Sequence, residues 1–200
     1  MLWHEGRREN AVELARATVD RIDEGLHGDE LTETICRAAR LGVRASRAAA
    51  AGEMDARRET LLSFADRCCS LAEERTAAFP TYRALVRCEQ GRLSEERGNR
   101  SAAVEHLDAG VRLRDRSGLT RFQMLAYRLR SRVRGGEAPY SAIVDARRAR
   151  MLAAGAGFAT AVEQIDAQIR DLVEAAPDLA PFLPLPSPSD LSDGLPTDKS

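Results

Sequence analysis

Between Ala84 and Gly118 the chain carries two apolar stripes at helical spacing, parted by a tight break at Gly98-Asn99. Leu85, Cys88 and Leu93 lie on the first stripe; Val104, Leu107 and Val111 lie on the second. Such intervals put apolar side chains on one face of a helix, and a break this short folds two helices back antiparallel. Gly91, Ala103 and Gly110 fall where the pair needs to approach closely. Each hairpin leaves an apolar face uncovered, which a following hairpin can cover, so the stretch points to helix-on-helix packing.

The rest of the sequence extends this unit. Val12, Ala15, Val19 and Ile22 predict a helix from about Glu9 to Glu24, ended by Gly25 and Gly28. Asp29 is a fair N-cap for a long helix reaching Ala50, with Leu31, Ile35, Ala38, Gly42 and Ala45 inward. Arg37, Arg40, Arg44 and Arg47 mark its wet side. After Gly52 a helix runs to about Arg75, with Leu61, Phe64, Ala65, Cys68, Leu71 and Ala72 inward, and Phe79-Pro80 stops it. The central pair fills 81–116. Further helices are expected at Thr120–Arg134, Tyr140–Ala153 and Phe158–Ala175; the last has the cleanest stripe, including Phe158, Ile165, Ile169 and Val173. No segment alternates as a strand does. The apolar content is 44% but only 4% of residues are aromatic, which suits close-packed helices better than a β-sandwich.

These signals define an all-α helical-repeat domain over residues 1–176. Residues 177–200 hold six of the eight prolines. They are expected to form a disordered tail, with Leu179, Phe182 and Leu183 available to pack back on the last helix.

The hairpin recurs. Gly6, Gly52 and Gly98 stand 46 residues apart. Ala11-Val12-Glu13 matches Ala103-Val104-Glu105, while Ala56 and Leu61 match Ala102 and Leu107. A glycine followed at fixed intervals by a small-apolar helix marks stacked hairpins. With Ala84 as the start of a unit, Gly91, Ala103, Leu107 and Gly110 fall at the small, small, large and small positions of the tetratricopeptide repeat family, and Gly98 at its inter-helix turn. The match resembles that family over 84–117, with Ser94 in place of its aromatic, Asp115 in place of its terminal proline, and a spacing longer than its ~34-residue period. The texture also resembles the tetratricopeptide-like sensor regions of large bacterial regulators: LuxR-type ATP-binding activators, antibiotic-regulatory activators and related signalling ATPases. That resemblance implies antiparallel hairpins stacked as a right-handed superhelical solenoid, a scaffold that binds a protein or ligand, and no chemistry. Residues 1–24 look like the second half of a hairpin, as in a fragment of a larger chain.

Chemistry is sparse. Lys199 is the only lysine, so no glycine-lysine phosphate loop exists in this segment. Gly155-Ala156-Gly157 reads as a helix break. His4, His27 and His106 read as surface or boundary residues, and the acid pairs Glu73-Glu74 and Glu95-Glu96 as solvated. Cys36, Cys68, Cys69 and Cys88 read as reduced core thiols, ahead of a zinc site or a thiol-reactive Cys68-Cys69 pair. Adjacent helical residues diverge by ~100°, so one of that pair points inward. Arg112, Arg114, Arg116, Arg121, Arg128, Arg130, Arg132 and Arg134 form a basic cluster, read as a solvated face or a rim for an acidic peptide ahead of a nucleic-acid footprint. The net charge of -1 argues against nucleic acid or an anionic membrane as a general partner.

The expectation is therefore a non-enzymatic, cytoplasmic module without cofactor or metal, binding a protein or peptide. An apolar face across Met1 to Ile22 would suit a homodimer. The alternative is a small-molecule sensor, with Tyr82, Tyr127 and Arg128 as candidate lining residues. An all-α enzyme would instead require a deep pocket holding two acids.

Overall fold

The computed structural model describes residues 7–23, 30–54, 56–77, 82–113 and 120–178. Among these, eight α-helices and no strands are present: α1 (Arg8–Asp23), α2 (Glu30–Ala50), α3 (Arg58–Arg75), α4 (Arg83–Glu96), α5 (Arg100–Arg112), α6 (Thr120–Arg134), α7 (Pro139–Gly155) and α8 (Ala159–Ala175). The protein is all-α, and α6 occupies the span its periodicity predicts. Gly6, Asp29, Phe79-Pro80, Arg114, Arg116 and the tail from Leu179 onward, with its packing expectation, lie outside the described residues. None of the described helices is long and apolar enough to cross a membrane.

Short connections pair α2 with α3, α4 with α5 and α6 with α7 along their lengths. These pairs meet laterally: α2 touches α4, and α4 touches α6. The second helix of one pair also meets the first helix of the next, as α3 meets α4 and α5 meets α6. α1 lies on α2 and α3, and α8 lies on α7. Among the described residues, the backbone contacts concentrate between helices one or two apart in the chain. The largest core cluster joins α1 to α4 through Val19, Ile22, Ile35, Leu62, Phe64 and Leu85, with Phe122 of α6 inserted at its edge. A second joins α4, α5 and α6 around Cys88, Leu107 and Leu129.

The break at Gly98-Asn99 is a complete C-cap followed by an N-cap. Gly98 has φ +77, the left-handed region that favours glycine. Its amide donates to the Glu95 carbonyl at 3.0 Å, and the Asn99 amide donates to the Ser94 carbonyl at 2.9 Å. These two bonds satisfy carbonyls that the end of α4 would otherwise leave bare. The Asn99 side chain then accepts from the Ala102 amide at 3.1 Å and opens α5. The turn after α2 closes with the same two bonds around Gly52. Asn99→Ala is expected to cost about 1 kcal/mol, measured as a lowered midpoint in thermal unfolding.

Gly91 faces α5: a Cβ built there would lie 2.7 Å from Leu107 Cγ. Gly42 does the same for α2 and α3, 3.1 Å from Ala65 Cβ and from the Leu61 carbonyl oxygen. Gly110 lies less tightly between helices, 3.4 Å from Ala126 Cβ. Ala103 and Leu107 are buried in the same interface.

Four expectations need correction. The helix expected from Tyr140 begins one residue earlier, at Pro139, whose fixed φ and missing amide suit the first helical position. Phe158 precedes α8 and is exposed, because the apolar period runs one residue past the point where the helix begins. Cys68 and Cys69 are both buried, since α3 has neighbours on several sides. The apolar face of the first helix is largely used within the chain: Val12, Val19 and Ile22 are buried in the clusters of α2 and α3, leaving Leu14 exposed.

Candidate functional site

The most organised polar feature is the face shared by α2, α4 and α6. Arg37, Arg40, Arg44 and Arg47 recur on α2 every three or four residues, and Glu89, Arg92 and Glu96 do so on α4. Lateral contact of the two helices sets these stripes opposite one another. Arg40 donates through Nε to Glu89 Oε1 at 3.1 Å, and Arg47 through Nε to Glu96 Oε2 at 2.5 Å. Arg58 of α3 also bridges Glu96. From the other side, Arg132 of α6 reaches Glu95 at 3.2 Å. Arg121 of α6 bridges Glu33 of α2 at 2.8 Å. Arg40 is thus not simply on a wet side, and Glu95 and Glu96 are not merely solvated: each completes an ion pair between helices.

Glu89 is the deepest acid here, 2% exposed. Its Oε2 lies 3.4 Å from Arg92 Nε, so two arginines share one carboxylate. They fare differently. Burial works against the Arg40 charge, but the hydrogen bond and field of Glu89 outweigh it and hold its pKa above the ordinary value. Burial pushes Arg92 down, and Arg40 and Arg132 push it further, against the pull of Glu89. Arg128 is also lowered, by burial and by Arg132.

A second network ties α5, α6 and α7. Arg130 donates to Asp145 at 2.8 Å and to Asp108 at 2.7 Å; Arg134 bridges the same two acids. Asp145 is buried. Arg112 pairs with Asp108 one turn away. The basic cluster around α6 is therefore divided between two faces and threaded with carboxylates, which corrects the picture of one solvated basic face. Among the described residues of the cluster, all but Arg128 are ion-paired, so these do not present the continuous row of free cations that phosphates require.

The thiols are unsuited to nucleophilic work. All four are free and buried. Burial pushes Cys68 up to about 12 and raises Cys36, Cys69 and Cys88 as well, so the thiolate is scarce at neutral pH. Among the described residues, no group of three or more His, Cys, Asp or Glu side chains converges as a metal site.

A cavity of about 450 Å³ opens among the end of α3, the start of α4 and the end of α5, with Glu73, Thr76, Arg83, Val86, Arg87 and Leu113 on its wall. Glu73 supplies the carboxylate. It accepts from Arg87 and from Gln90, both at 2.6 Å, so it too is paired rather than solvated. His106 feels both Arg87 and Glu73. Burial lowers its pKa, Arg87 lowers it further, and Glu73 and Glu105 oppose them. The folded state binds this proton less readily than the unfolded chain. Stability is therefore lost as pH falls through the unfolded value of about 6.5 toward the lower folded one. His106→Gln is expected to flatten that loss between about pH 7.5 and 5.5, measured by urea denaturation at each pH.

Tyr82, Tyr127 and Arg128 do not meet in one site. Tyr82 packs against the first core cluster, with its ring 6.0 Å from that of Phe122. Tyr127 packs against the α7–α8 cluster, under the Arg130 guanidinium at 5.2 Å. Arg128 donates to Gln164 of α8 at 2.8 Å. None of the three lines the cavity. The partners of the arginines lie 37 to 49 residues away on other helices, and no local pattern reveals them. The chain matches no protein-family model, no curated protein and no solved structure.

Proposed function

We propose that this chain is a non-enzymatic protein-interaction or regulatory scaffold, built of tetratricopeptide-like hairpins stacked as a right-handed solenoid. It would work in the cytoplasm as part of a bacterial signalling or transcription regulator. The observation that carries this reading is the lateral contact of α2 with α4 and of α4 with α6. It sets the first helices of successive hairpins side by side, and such a face lengthens with each hairpin and suits an extended partner. The test is photo-crosslinking in cells from probes placed at Arg44 on α2 and at Arg148 on α7. A protein captured repeatedly from Arg44 and not from Arg148 supports the scaffold; no capture, or equal capture from both, counts against it.

A small-molecule sensor is the second reading, and the cavity beside Arg83 and Arg87 favours it. Ligands that bind the folded state raise its apparent stability by mass action. A saturable thermal shift with an anionic metabolite, abolished by Arg83→Ala, would make this the better reading.

A further inference from the structure

We infer that the solvent side of the α2–α4–α6 face is a docking groove for an acidic peptide, a segment of a partner protein rich in aspartate and glutamate. The inference rests on the scaffold reading and names the partner's chemistry. Its basis is that the two signs of charge lie at different depths. The glutamates lie low: the Glu89 side chain is 1% exposed, Glu96 12% and Glu33 20%. Apart from Arg92, at 18%, the arginines paired with them are more open than the most open of the glutamates, Glu95 at 27%: Arg40 is 31% exposed, Arg132 41%, Arg47 46% and Arg37 70%. A visitor meets guanidinium groups first.

The count is unbalanced too. Four arginines on α2, one on α4 and three on α6 face four glutamates, in a chain whose net charge is only -1. Arg44 is exposed and has no ion pair among the described residues. The Arg128 guanidinium has no ion pair among the described residues and donates to the neutral amide of Gln164. Arg92 has only a share of the Glu89 carboxylate, its Nε 3.4 Å from Oε2 without a hydrogen bond. Like charges crowd together there, and added carboxylates would relieve them; guanidinium forks bind carboxylates in paired hydrogen bonds.

Shape favours a peptide over a nucleic acid. The Arg121–Glu33 bridge joins α6 to α2, so the two outer helices of the face lie within reach of two side chains. An extended chain fits such a trough better than a duplex. Tyr82 and Phe122 pack against each other instead of offering faces to bases.

The test uses the full chain and a fluorescein-labelled peptide of alternating glutamate and serine, followed by anisotropy. Controls are the same peptide with glutamine for glutamate, and a single-stranded oligonucleotide of equal charge. Binding of the glutamate peptide, weakening as salt rises, is expected, with the glutamine peptide silent. Arg44→Glu combined with Arg128→Glu is expected to weaken it roughly ten-fold or more, whereas Arg148→Glu on α7 leaves it within about two-fold. Circular dichroism reports whether the double variant folds; if it does not, Arg44→Gln with Arg128→Gln takes its place, with weakening again expected. Equal binding of the glutamine peptide, tighter binding of the oligonucleotide, or the same loss in Arg148→Glu would overturn the inference. A crosslinked partner without acidic preference would remove this inference and leave the scaffold reading in place.

Discussion

Glu89→Ala is expected to destabilise the protein by about 3–5 kcal/mol, one of the largest effects of any single substitution in the chain. The carboxylate is enclosed between α2 and α4 and answers to both Arg40 and Arg92. Alanine would remove the acceptor and leave two half-buried guanidinium groups facing each other. Taking one partner from a buried pair costs more than never having had the pair, because the surviving charge stays desolvated. Two further variants separate that cost from simple loss of packing. Glu89→Gln keeps the volume and an acceptor for Arg40 but not the charge, and is expected to fall between wild type and alanine. Arg40→Met with Glu89→Leu removes the most intimate pair together and is expected to cost less than Glu89→Ala alone. The measurement is urea denaturation followed by circular dichroism. A loss below ~1 kcal/mol for Glu89→Ala would mean that water solvates these arginines when the acid goes, and that α2 and α4 are not joined through it.

Gly91→Val is expected to cost about 3 kcal/mol, although helix propensity alone favours replacing a mid-helix glycine. The added Cβ would sit 2.7 Å from Leu107 Cγ, 2.9 Å from its Cδ2 and 3.3 Å from the Ala103 carbonyl oxygen. Leu107 is 1% exposed and cannot swing away, so α4 and α5 would have to separate. For a chain of this size the loss should lower the thermal midpoint by roughly 6–12 °C. Gly155→Ala is the matched control. Beyond its own turn of helix nothing lies within 4 Å of a Cβ there, and the substitution should gain up to ~1 kcal/mol. If Gly91→Val unfolds with the wild type, the two helices are spaced more widely than described.

The helices were legible because their signal is local. Phe122, Leu129 and Val133 repeat within one helix, and Gly98-Asn99 ends one helix and starts the next through bonds to residues at most five away. The face that most resembles a functional site was not legible, because its logic is long-range. Arg40 and Glu89, Arg47 and Glu96, and Glu95 and Arg132 are partners only once hairpins lie side by side. Along the chain each looks like one member of a like-charged run. Cys68 and Cys69 show the same limit. The angle between adjacent residues was right, but a helix with neighbours on several sides buries both directions. Tyr82, Tyr127 and Arg128 were named for their chemistry, and packing sent them to different clusters.

Because nearly all the packing of each helix is with neighbours one or two steps along the chain, the Arg121–Glu33 bridge aside, no single opening need expose every amide at once. α8 rests on α7 through Ile165 and Ile169 against Ala146, Ala149 and Ala153, so it can detach and reseat while the centre around α3 and α4 stays shut. Deuterium uptake should therefore rise from the middle toward the ends, a profile along the chain and not one shared lifetime.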